Sequence, residues 1–207
     1  MKDKSYIWIS LVVLVFGIWA VPKIIKKFEK SDLFVIGQAP QFELVDQNNK
    51  TINNASYKGK VYVVEFFFAN CPTICPIMNQ NMLKLQDTFR PHMDFGIASI
   101  TIDPTNDTVE ALHAHAADLG VKIPYWHMLT GDAKYIYDLA GKFNLYTGVN
   151  PEAPGGFEHS GLFALIDKEG NIRCRTDEQG NPILYYDGTS DEGVKWIKED
   201  IKLLLEE

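Results

Sequence analysis

Two of the chain's three cysteines stand four positions apart in the stretch FFFANCPTICPIMNQNM, residues 66–82, and each is followed by proline. Pro72 and Pro76 disfavour a helical conformation in the residue before them, so Cys71 and Cys75 are expected on a loop rather than inside a regular helix. Pro76 suits the first turn of a helix, which places Cys75 near its N-cap. Unpaired backbone N–H groups and the helix dipole stabilise a thiolate there, so a lowered thiol pKa is expected. Three readings fit the pair. It is two packed thiols, a redox disulfide with one more intervening residue than the usual Cys-x-x-Cys, or a metal clamp whose soft thiolates select Cu(I) or Zn(II).

A metal clamp needs a further ligand, and the chain offers five histidines. His113 and His115 lie two residues apart in a predicted helix, about 200° from one another around its axis, so they cannot hold one ion together. His92 sits in a helix-to-strand connection and His127 in YWHML, both positions that suit surface or packed histidines. His159 is the candidate, ending a Pro/Gly-rich loop just before an apolar strand, where strand ends converge on the loop with the cysteines. Glu158 beside it could orient the imidazole, although neighbouring strand residues point to opposite faces. Cys174, between two arginines in IRCRT, reads as a solvent-face or packed thiol outside the site.

The elements that must position these residues follow from periodicity. KVYVVEFFFA, residues 60–69, is a continuous apolar, β-branched and aromatic run, as in a central strand buried on both faces. Met78, Met82, Leu85 and Phe89 recur at helical spacing, predicting a helix from about Pro76 to before Pro91. DFGIASITID, 94–103, reads as a second buried strand. DTVEALHAHAADLG, 107–120, opens on an Asp-x-x-Glu capping pattern and closes on glycine. YWHML suggests a short strand, DAKYIYDLAGKFN a helix, and GLFALIDKEGNIRCRT a hairpin. Thr189, Ser190 and Glu192 precede a helix that buries Val194, Ile197, Ile201 and Leu204. With QFELVD as a first hairpin, this alternation predicts an α/β, thioredoxin-like sheet covered on both faces.

Residues 6–21, YIWISLVVLVFGIWAV, carry no charge. They reach roughly 24 Å of a ~30 Å hydrocarbon core, and Ile24 and Ile25 extend them if Lys23 snorkels. An N-terminal transmembrane helix over residues 6–25 is therefore expected to anchor the chain to a lipid bilayer. Residues 1–30 form the anchor and juxtamembrane segment and 31–207 the folded domain, with 31–40 as a connection. Lysines are more numerous after the span than before it, which by charge alone favours a cytoplasmic domain. The segment lacks arginine, unlike a mitochondrial transit peptide, so a bacterial membrane is expected. The formal charge of -7, with no basic stripe, argues against a nucleic-acid partner.

Together, FFFANCPTICP, SITIDPTNDT and FEHSGLFALIDKEG resemble, in the same order, motifs of the Sco (SenC/PrrC) family of membrane-anchored copper proteins. Ala69 and Glu158 stand where many members carry Thr and Asp. The resemblance spans roughly residues 37–204. It implies a thioredoxin-like domain binding one copper, as Cu(I) or Cu(II), through Cys71, Cys75 and His159. It also implies a single-pass protein of the bacterial inner membrane whose domain faces the periplasm. The implied partner is cytochrome c oxidase subunit II or another copper-receiving client. A thiol-disulfide oxidoreductase using Cys71 and Cys75 is the alternative.

Overall fold

The computed structural model describes residues 5–28 and 31–207, and the chain divides into two units, Met1–Asp32 with Glu206–Glu207, and Leu33–Leu205. Helix α1 (Ser5–Phe28) belongs to the first. Trp8, Leu11, Val15, Phe16 and Trp19 on it are exposed. Among the described residues no helix is long and apolar enough to cross a membrane, so the anchor remains an expectation from sequence.

The second unit begins with β1 (Phe34–Gln38), β2 (Glu43–Asp46), β3 (Thr51–Asn53) and β4 (Val61–Phe67). Then come α2 (Cys75–Phe89), β5 (Phe95–Thr101), α3 (Val109–Leu119), β6 (Trp126–Thr130) and α4 (Ala133–Lys142). It closes with β7 (Thr147–Val149), β8 (Phe157–His159), β9 (Leu162–Ile166), β10 (Asn171–Thr176), β11 (Pro182–Ile183), β12 (Tyr186–Asp187) and α5 (Asp191–Glu206). The main sheet runs β1-β10-β9-β4-β5-β6-β2-β3, with β11 on β10 and β12 on β9, while β7 and β8 form a separate hairpin. Strands β4, β5 and β6 are parallel to one another; β9 joins β4 antiparallel.

This is the mixed α/β, thioredoxin-like architecture that the pattern of elements predicts. Every residue of β4 and β5 is buried, as their unbroken apolar runs require of strands covered on both faces. Met78, Met82, Leu85 and Phe89 of α2 pack into the core, as do Val194, Ile197, Ile201 and Leu204 of α5. Ser190 caps α5 by accepting the Gly193 N–H at 3.0 Å.

Two local expectations are corrected. Residues 34–38, expected to be part of a connection, form an edge strand that pairs antiparallel with β10 across a bulge between Val35 and Gly37. An open sheet edge captures a short apolar stretch whose own propensity is too weak to announce a strand. Helix α3 is capped by Thr108, whose hydroxyl accepts the Ala111 N–H, and not by Asp107. Asp107 turns inward, where its carboxylate has better donors.

Candidate metal centre

Cys71 lies on the loop between β4 and α2, Cys75 is the first residue of α2, and His159 is the last of β8. One ligand atom from each, two Sγ and an imidazole nitrogen, lie within 4.8 Å of one another. Cys75 Sγ is 3.1 Å from His159 Nε2. The Cys75 backbone N–H points to Cys71 Sγ at 3.4 Å, and Thr73 Oγ1 lies 3.6 Å from the same sulfur. The chain stays irregular through Cys71 and Pro76 sits in the first turn of α2, as expected, but the expectation that Cys75 also lies outside the helix is corrected: it is the first residue of α2, where Pro76 follows at a first-turn position whose missing N–H costs no intrahelical bond.

Buried polar contacts hold the cysteine loop from below. Asp107 Oδ2 accepts the Ala69 N–H at 3.0 Å and also the Thr101 hydroxyl, tying the end of β4 to the connection after β5. Phe68 presents an edge to the His159 ring, centroids 5.9 Å apart, and packs on Phe157 at 5.3 Å.

The histidine arrives on the β7–β8 hairpin, in which Thr147 faces His159 and Val149 faces Phe157. Gly155 in the turn has φ +84°, and a Cβ there would come within 2.8 Å of the Phe68 ring and 3.1 Å of Pro72. The turn therefore needs glycine twice over, for its left-handed backbone and for its close approach to the cysteine loop. Glu158 does not orient the imidazole. Its carboxylate accepts the Asn150 side-chain amide at 2.6 Å and the Tyr146 hydroxyl at 3.2 Å, because strand alternation turns it away from its neighbour. His159 Nδ1 is buried without a hydrogen bond. An open cavity of about 370 Å³, lined by Phe68, Cys71, Thr73, Ile74, Phe157 and His159 among others, reaches two of the three ligands, Cys71 and His159.

The two thiols differ. Burial raises the Cys71 pKa, but hydrogen bonds from Cys75 and Thr73 outweigh it and leave the thiol below its usual range. Cys75 is pushed well above that range, first by burial, with Cys71 and Glu65 adding to it against a smaller opposing contact with the Phe68 backbone. The lowered pKa expected of Cys75 from its helix terminus is thus corrected: at 1% exposure, desolvation exceeds the dipole. Burial also lowers the His159 pKa, with the Ser160 backbone offsetting it in part, so the imidazole is neutral at pH 7, as a ligand must be.

The remaining candidates lie elsewhere. His127 Nδ1 pairs with Asp46 Oδ2 at 2.9 Å, and His113 Nδ1 contacts the Gln47 carbonyl at 3.2 Å. His115 stacks on Phe67, and His92 lies near Asp94 on the surface. Cys174 is a packed thiol in β10, fully buried opposite Phe34. Two buried acids were missed from sequence: Asp107 was read only as a helix cap, and Glu65 was not singled out. For Glu65 a signal was present: a lone acid within an otherwise apolar strand.

Comparison with known proteins places this geometry in a family. A model of the SCO1/SenC family matches residues 35–190. The SCO1 protein homolog of Bacillus subtilis is 32% identical over 133 residues, covering 63% of this chain and 69% of that protein. The solved structure of BsSco, a member of the Sco family of cytochrome c oxidase assembly proteins in which a disulfide switch was identified, superposes with a TM-score of 0.69. It is 27% identical and covers 86% of this chain and 98% of its own. Yeast Sco1 with copper bound gives a TM-score of 0.60 at 25% identity, covering 80% of this chain and 88% of that one. With three quarters of its length matched by the family model, a stretch that includes Cys71, Cys75 and His159, the chain belongs to the SCO1/SenC family.

Proposed function

We propose that this protein is a membrane-anchored copper chaperone that binds one copper ion through Cys71, Cys75 and His159. It assists assembly of the binuclear copper site of cytochrome c oxidase, with subunit II or another copper-receiving client as its partner. The convergence of two thiols and a neutral imidazole within 4.8 Å carries this reading. Two soft sulfurs favour Cu(I), and the added nitrogen accommodates Cu(II). Copper in yeast Sco1 and the oxidase-assembly role of the BsSco family support the same cargo and client. The cavity beside Cys71 and His159 leaves those two ligands open to a client, so copper leaves by ligand exchange.

Residues 6–25 span the bacterial inner membrane once, and the domain from residue 31 onward faces the periplasm. The apolar N-terminal run supports the span. The periplasmic side follows from the client, against the lysine bias that favours the cytoplasm.

Deleting the protein from its host tests the proposal. The oxidase should lose copper from subunit II and lose activity, and wild type but not Cys71→Ser should restore both. Normal copper content in the deletion strain contradicts it.

One observation favours a second reading, a thiol-disulfide oxidoreductase. A lowered Cys71 beside a buried, raised Cys75 is the asymmetry of an attacking and a resolving thiol. That activity needs the cysteines and not His159.

A further inference from the structure

A metal-binding imidazole is ordinarily aimed by a hydrogen bond to its second ring nitrogen. His159 lacks that guide: its Nδ1 is buried and meets no hydrogen-bond partner among the described residues. Its aim must come from the backbone that carries it. That carrier is the β7–β8 hairpin, which stands outside the main sheet, and a lone two-stranded hairpin is at best marginally stable in water. Phe68 supports it on the side of the cysteine loop, through His159 and Phe157. The other face needs a brace of its own.

Two residues flank β7, and both reach across to β8. Tyr146, just before β7, accepts the Ser160 N–H through its carbonyl at 2.9 Å, and its hydroxyl donates to Glu158 Oε2 at 3.2 Å. Asn150, just after β7, donates its backbone N–H to the Gly156 carbonyl at 2.9 Å and its side-chain amide to Glu158 Oε1 at 2.6 Å. The Asn150 side-chain oxygen accepts the Glu152 N–H at 3.0 Å, which turns the NH2 end toward Glu158. The two donors therefore take separate oxygens of one carboxylate. Glu158 stands opposite Gly148, where a Cβ would come within 3.2 Å of the Tyr146 hydroxyl. Tyr146 is 62% exposed, so its hydrogen bond, and not burial, keeps the ring folded over Gly148.

We propose that Tyr146 and Asn150 are positioning residues for copper binding, acting through the Glu158 carboxylate to hold the hairpin so that His159 meets the cysteine pair. Glu158 acts on the strand and not on the ring. Braced from both ends of β7, the strand that ends in His159 cannot slide or peel away without breaking a hydrogen bond to a charged acceptor, stronger than one between neutral groups. An imidazole already in place loses less freedom when copper arrives, so the clamp raises affinity without touching the metal.

The inference rests on the chaperone reading, in which His159 is the third ligand, and part of its test needs no copper. In the metal-free, reduced full chain, amide hydrogen exchange at Ser160 should quicken about threefold to tenfold in Tyr146→Phe and in Asn150→Ala. The thermal midpoint should not move, since a hairpin outside the main sheet opens locally. Either change should lower copper affinity, measured against a competing chelator, about tenfold. Neither should lower it further in a Glu158→Ala background, nor in a His159→Ala background, where no imidazole is left to place. An effect of Tyr146→Phe that persists in full without Glu158 or without His159 overturns the proposal. So does affinity or Ser160 exchange that matches wild type in both variants. If wild type holds no copper, the chaperone reading falls and Ser160 exchange decides alone: faster exchange upholds the clamp and unchanged exchange overturns it. Unchanged exchange and affinity in variants of a copper-binding protein remove the clamp and leave the chaperone reading standing.

Discussion

Cys75 Sγ and His159 Nε2 meet at 3.1 Å across 84 residues of sequence. The contact joins the first turn of α2 to the β7–β8 hairpin and completes the donor set. All three ligands must be available for it to hold metal, so the redox state of the cysteines decides. Oxidising Cys71 and Cys75 to a disulfide is expected to abolish copper binding, and a dithiol reductant should restore it, as followed by equilibrium dialysis against a Cu(I) buffer. Undiminished binding by the oxidised chain would show that copper sits elsewhere.

The two thiols should also react in a fixed order. Cys71 has the lowered pKa and Cys75 the raised one. Brief alkylation of the reduced protein near pH 7, mapped by peptide mass, should therefore label Cys71 at least ~10-fold faster than Cys75. Equal labelling would mean that the helix terminus activates Cys75 after all.

Gly155 and Gly156 share a left-handed backbone, at φ +84° and +83°, but only Gly155 abuts Phe68 and Pro72. Gly156→Ala should cost about 1 kcal/mol of stability, the backbone penalty alone. Gly155→Ala adds the clash, so it should cost about 1–3 kcal/mol more and weaken copper binding by displacing the His159 hairpin. Thermal denaturation and copper competition of both variants check this. Identical behaviour would detach the turn from the site.

Stability should fall as the pH rises from acid to neutral. Glu65 has its pKa raised from 4.5 to about 7 in the folded protein. Between those values the native state holds a proton that the unfolded chain has released, so unfolding free energy decreases with rising pH across the window and then levels. The full effect is on the order of 3 kcal/mol. Urea unfolding at about pH 5 and about pH 8 should show this loss in wild type and much less of it in Glu65→Gln. An equal loss in both would assign it to other groups.

What could be read in advance depended on how local the cause was. The buried strands β4 and β5, helix α2 after Pro76 and the β9–β10 hairpin follow from apolar runs, periodicity and turn residues within a few positions, and each stands where the pattern put it. Cys71, Cys75 and His159 were named as candidates from proline placement, loop context and ordered motifs, and the fold brings them together. The β7–β8 hairpin stayed hidden because strands of three residues among Gly and Pro leave no period to detect. Asp107 was misread as a cap because its value comes from Ala69 and Thr101, 38 and 6 residues away. The charge state of Cys75 depends on burial, which chain position near a helix end does not report.

Copper binding by the reduced full chain, measured beside its His159→Ala variant by metal analysis and absorption, tests the three-ligand site most directly. The account predicts one tightly held copper per chain in wild type with thiolate-to-Cu(II) charge-transfer absorption, and affinity lowered at least ~100-fold in the variant, beyond the loss usual for outer ligands. The variant should keep its fold and its ability to cycle a Cys71–Cys75 disulfide. Wild type that holds no copper yet cycles the disulfide readily would contradict the chaperone and leave a thiol oxidoreductase.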